Sequence, residues 1–142
     1  MQYRGVIPRA IAFVIDMVVS GVIFMAIGFL AAPFFNGMTN GGFHLTGIPA
    51  LIVMGSTSLL VLAYFVILEG MFGKTIGKAL LGIKVVSEDG SPAGISSALV
   101  RNILRIIDVL PFLYILGIIL MIRSDKEQRL GDKVSGTVVV SK

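Results

Sequence analysis

One acidic residue, Asp16, stands inside an apolar run that extends from Ala10 to Leu30. A carboxylate in a transmembrane helix costs about 2.5–3.5 kcal/mol on insertion scales, so it calls for a partner, a water-filled cavity or a raised pKa. Arg9 precedes it by two helical turns on nearly the same face, about 10 Å away along the axis. Helical side chains lean towards the N-terminus, so Asp16 reaches back while Arg9 reaches on towards the interface. Direct contact is marginal, and another group must complete the site. Ser97, Arg101, Arg105 and Asp108 form one helical stripe, opposite an apolar stripe of Val100, Ile103, Ile107 and Leu110. Such a helix hides its charges from lipid by turning them inward. The economical arrangement is a polar seam in which Asp16 meets Arg101 or Arg105, with Arg9 and Asp108 nearby, as a candidate ion or proton site. In the plainer alternative Arg101 and Arg105 snorkel to lipid phosphates and Asp108 caps a helix start before Pro111.

Other chemistry is excluded by residue type. With no cysteine there is no thiol nucleophile, disulfide or Cys-ligated zinc, and the single histidine, His44, excludes a His-pair metal site. His44 falls in a polar loop and reads as a solvated side chain. The GKT tripeptide at Gly73 would need a glycine where Leu68 stands to be a phosphate-binding loop. Neither HExxH, GxSxG nor a spaced pair of acids occurs, so no enzyme and no cofactor is expected. The net charge of +4 comes from basic residues that flank apolar runs without interleaved aromatics, which argues for membrane topology and against nucleic acid.

The elements that must position these residues follow from composition. Of 142 residues, 56% are hydrophobic and 14% charged, with a mean hydropathy of +0.96. A soluble domain is nearer 45–50% apolar and about 25% charged. Ala10 to Leu30 and Ile48 to Leu68 each supply about 30 Å of helix, the thickness of the hydrocarbon core. A cleaved signal peptide is disfavoured for the first, because the apolar run is long, carries Asp16 and is followed by Pro33. Arg4, Arg9, Lys74, Lys78 and Lys84 flank the spans on one side, and the Ala31 to Gly47 loop has no Lys or Arg. The positive-inside rule therefore places the N-terminus and central segment in the cytoplasm and the loop outside. Glu69, ending the second span, reads as interfacial, and Gly55 to Ser58 as a small-residue cluster for close helix packing.

Ile106 to Ile122 is shorter and contains Asp108 and Pro111. A full third span would strand Arg123, Lys126, Arg129, Lys133 and Lys142 outside. Two half-length helices, Ser96 to Val109 and Pro111 to Ile122, avoid this by entering and returning, with the proline at a helix start. Ile83 to Ser87 and Thr137 to Val140 are short β-branched runs that can then pair on one side of the membrane. Gly73 to Gly82, with Lys74 and Lys78 one turn apart, reads as a short interfacial helix. The predicted fold class is thus an all-α membrane protein: two transmembrane helices, a Pro-interrupted helical hairpin or else a third span, a short cytoplasmic amphipathic helix and a small two-stranded β element, in one domain over residues 1–142.

Four blocks in order, Arg9 with Asp16, then GKTIGKALLGIKVVSEDG, RNILRIIDVLP and QRLGDKVSGTVVV, resemble the RDD family of small membrane proteins along nearly the whole chain. The family is named for one arginine and two aspartates. The arginine matches Arg9, the first aspartate matches Asp16, and the second matches either Asp108 or Asp132. The resemblance implies an integral membrane protein associated with transport, including sodium/proton exchange in some members. An intramembrane carboxylate beside an arginine suits such exchange of a proton or monovalent cation. So small a chain would need a homo-oligomer to build a path. The competing expectation is a non-transporting partner of a larger membrane protein, its polar seam structural. Arg129 and Asp132 are expected to form a helical-turn ion pair or a latch onto the strand at Ile83, clamping the cytoplasmic layer.

Overall fold

The computed structural model of the protein describes residues 2–108 and 111–141. The chain divides into two compact units, residues 17–63 on the one hand and residues 1–16 with 64–142 on the other.

Two long helices dominate. Helix α1 covers Val6–Ala31 and α2 covers Gly47–Phe72, each with a proline only in its first turn, where the missing N–H breaks no helical bond. Only 11% of the apolar window of α1 and 22% of that of α2 is buried. Core helices of a soluble protein would be mostly covered, so these two are candidate membrane spans, with side chains such as Val14, Val18, Leu51 and Leu59 facing outward.

Within the unit of residues 17–63, a 3-10 turn (Ala32–Phe35) ends at Asn36 in the left-handed conformation, and a small hairpin of β1 (Met38–Thr39) and β2 (Gly42–Phe43) follows. No alternation of residue types in this loop foretells the hairpin. Phe43 packs against Phe24 and Phe29 at ring separations of 5.8 and 5.3 Å. Gly28 leaves the space its ring occupies. His44 is exposed, as expected of a loop residue. The small-residue cluster meets its own hydrogen-bonding needs within α2. Space beside Gly55 is open, and the hydroxyls of Ser56, Thr57 and Ser58 donate back to carbonyls one turn earlier on α2, which satisfies them without a neighbour.

In the other unit, α2 ends where Gly73 adopts a left-handed φ of 70°. Its carbonyl accepts from Val85 N, and a Cβ there would lie 2.6 Å from the Val85 carbonyl oxygen. Helix α3 (Ile76–Leu80), capped by Thr75, leads to β3 (Ile83–Ser87), then α4 (Gly94–Asp108), α5 (Pro111–Ile122), α6 (Leu130–Val134) and β4 (Thr137–Ser141). Strands β3 and β4 pair antiparallel, Val85 opposite Val139, as the β-branched runs predict. Between these strands lie α4, α5 and α6. The joint at Val109 and Leu110 lies outside the described residues. Val85 and Val139 pack with Ala12 of α1, Ile83 and Ala93 as a small core, and Arg4 N donates to the Val139 carbonyl at 3.0 Å. This short, doubly anchored sheet ties both ends of the sequence to α1.

Candidate polar centre

Helix α4 has its charged face inward. Ala98, Arg101 and Asn102 are buried, whereas Leu99, Val100, Ile103 and Ile106 are exposed. Polar-in and apolar-out is the reverse of a soluble helix, and it is the orientation the sequence stripe predicts for a helix beside lipid. Asp108 closes α4, but its side chain, like that of Ile107, lies outside the described residues.

Inside this face two buried carboxylates collect the cations. Asp132, in the first turn of α6, accepts from Arg9 Nη1 at 2.5 Å and from the backbone N–H of Arg129 at 3.1 Å. Arg101 Nε lies 3.0 Å from its other oxygen, an ion pair without the alignment of a hydrogen bond. Arg9 is further held by the carbonyls of Arg4 and Glu127, both at 2.9 Å. Burial opposes ionisation of Asp132, yet Arg101 and Arg9 together hold its carboxyl below the usual range. Asp132 thus clamps α6 to α1 and α4; the described contact with Arg129 is made to its backbone.

Glu69, read from sequence as an interfacial residue, is fully buried near the end of α2. It pairs with Lys78 of α3, with Arg105 Nη2 at 3.3 Å and with Arg101 Nη1 at 3.7 Å, and Asn102 Nδ2 lies 3.4 Å away. Lys78 is likewise buried, so the short helix does not expose both its lysines at an interface. Burial lowers the pKa of Lys78 to about 7, with Arg101 and Arg105 adding repulsion against the pull of Glu69. The Arg105 guanidinium also stacks over Phe65 at 4.6 Å and stands 5.9 Å from Phe13.

Asp16 is buried at 1% exposure, and its described donors are neutral. Tyr64 Oη donates at 2.7 Å, Thr75 Oγ1 at 2.5 Å and the Gly77 backbone N–H at 2.9 Å. Gly77 is required for this approach, because a Cβ there would strike the Ala12 carbonyl oxygen and lie 3.0 Å from the Asp16 carboxyl carbon. The acids described within ion-pair distance of Arg101 and Arg105 are Glu69 and Asp132. Arg9, Asp16, Lys78, Arg101, Arg105, Arg129 and Asp132 nonetheless line one cavity of about 30 Å³. No group of His, Asp and Glu able to hold a metal ion occurs among the described residues.

Two apolar helices with ends joined by buried ion pairs define a membrane protein with a polar centre. The model of the RDD family matches residues 3–136, and the chain belongs to that family. It is also 37% identical over 73 residues to the proline-rich antigen homologs of Mycobacterium tuberculosis strains CDC 1551 / Oshkosh and ATCC 25618 / H37Rv. That match covers 51% of this chain and 30% of each relative, so it spans under a third of those longer proteins. No solved structure matches significantly. Asp132, offered with Asp108 as the family's second acid, is joined to Arg9, and the side chain of Asp108 lies outside the described residues.

Proposed function

We propose that the chain is a membrane-embedded structural module, a non-transporting partner of other membrane components, whose ionic network locks a layer of short elements onto the ends of two spanning helices. One observation carries this reading. Glu69 and Asp132 are buried and engaged by Arg9, Lys78, Arg101 and Arg105, cross-linking α1, α2, α3, α4 and α6. Separating a buried pair leaves an uncompensated charge at a cost of about 3–5 kcal/mol. A carrier that must break such pairs on every cycle would meet that cost each time, whereas a fixed latch never does. The partner is a second copy or a larger membrane protein.

A second reading, cation or proton exchange at Asp16, is favoured by the burial of this carboxylate at 1% exposure in a cavity that it shares with Arg9, Arg101 and Arg105. Two spans are too few to enclose a path, so this reading needs an oligomer. Reconstituted protein separates the two. The structural reading expects no pH change in proteoliposomes driven by sodium, potassium or lithium gradients, and a loss of yield and thermal stability in Asp16→Asn. Gradient-driven flux that Asp16→Asn abolishes in a folded protein would establish exchange instead.

The charge pattern supports cytoplasmic N- and C-termini, with α4 and α5 dipping into the cell membrane and returning. Labelling of Lys142→Cys from outside intact cells would overturn that topology. The absence of native cysteine gives the experiment a clean background.

A further inference from the structure

We propose that the cavity beside Arg101 and Arg105 is a binding site for one phosphate-type oxyanion, held by the Nη1 groups of these two arginines. Arg101 is 6% exposed, and among the described residues neither its Nη1 nor that of Arg105 makes a hydrogen bond. Buried charged donors left unmade are costly, and each guanidinium here is already fixed through another nitrogen: Arg101 by Nε against Asp132, Arg105 by Nη2 on Glu69. The Phe65 face adds a third restraint on Arg105. Two arginines one helical turn apart, Arg105 with an Nη1 that makes no hydrogen bond among the described residues and Arg101 with an Nη1 that meets Glu69 only across 3.7 Å, form a preorganised fork. Oxyanion oxygens fit that geometry better than a point-like halide does.

The cavity has the right scale. At about 30 Å³ it holds roughly two water-sized groups, room for two oxygens of a phosphate group whose remainder stays outside. Its field has the right sign, because Arg9 and Lys78 line the same walls. Glu69 Oε2 stands 3.7 Å from Arg101 Nη1, beyond hydrogen-bond reach, while Asp132 pairs with Arg101 Nε and the Asp16 carboxylate accepts from Tyr64 and Thr75. The phosphate can come from an anionic lipid headgroup, which the position at the end of two membrane helices favours, or from free inorganic phosphate. Both present the same oxygens.

Purified full-length protein is titrated with inorganic phosphate in a neutral detergent and, separately, reconstituted into phosphatidylcholine vesicles with and without phosphatidic acid. Equilibrium binding and thermal melting are read in both arms. The expected result is saturable binding near one anion per chain, weakened about tenfold or more in Arg105→Gln. Arg105→Gln leaves Glu69 paired with Lys78 and Arg101. Saturation in the vesicle arm alone identifies a lipid headgroup, and saturation by inorganic phosphate identifies a free anion. The wild-type stoichiometry tests the site even if the variant does not fold. Absence of saturable binding in both arms would overturn the proposal and leave the arginines bound to ordered water. Equal binding by wild type and a folded Arg105→Gln would overturn it as well, leaving surface attraction.

Discussion

Arg9 and Asp132 lie 123 residues apart in the chain and meet in a 2.5 Å ion pair. The contact joins the start of the first spanning helix to the first turn of α6, just before the final strand. Because Arg101 shares the same carboxylate, three helices converge on one charge. Asp132→Asn keeps the size of the side chain but removes the counter-ion that Arg9 and Arg101 share, leaving Arg101 with Glu69. It should destabilise the protein by about 3–5 kcal/mol, read as a lower midpoint of thermal unfolding in detergent.

The same carboxylate sets an acid limit. The pKa of Asp132 is lowered in the folded state, so its contribution is full above the unfolded-state value, near 4, and is lost as pH falls through the folded value. Wild-type stability should therefore fall on acidification below about pH 4 more steeply than that of Asp132→Asn. Parallel melting curves for the two proteins over that range would contradict the assignment.

Lys78 gives the opposite end of the scale. Its folded-state pKa of about 7 lies below the value of 10.5 for a free lysine, so between these limits the unfolded chain binds more protons. Stability from this group thus rises with pH from about 7 upward, as the cost of burying its charge is relieved. In Lys78→Arg, which stays charged, that rise should be absent, and the gap between variant and wild type should widen from neutral to alkaline pH.

Much of the fold was legible because lipid leaves strong signatures in sequence. The two spans, the inward stripe of Arg101 and Arg105, and the pairing of Ile83 to Ser87 with the C-terminal run all follow from hydropathy, helical spacing and β-branching. The identity of the pairs did not. Spacing within a helix carries no information about which helices meet, so it could not name Glu69 and Asp132 as acids beside Arg101 and Arg105. Glu69 was the discoverable miss: the rule that makes an intramembrane acid suspect applies to it as well, and Lys78 follows nine positions later. Thr75 and Tyr64 gave no signal, since a hydroxyl is common in loops and spans alike.

Gly77 and Gly55 look equivalent in sequence, each a glycine in a helix, yet their surroundings differ. A methyl at Gly77 collides with the Ala12 backbone beside Asp16, while one at Gly55 meets nothing within 4 Å. Gly77→Ala should therefore cost about 1–3 kcal/mol by overpacking and loosen the Asp16 site. Gly55→Ala should be neutral or stabilising by up to about 1 kcal/mol through helix propensity. Paired unfolding measurements on the two variants check the geometry without reference to function. Comparable losses would mean that α3 does not approach α1 at Asp16. A selective loss at Gly77 would tie the short helix, and through Lys78 the Glu69 cluster, to the membrane carboxylate.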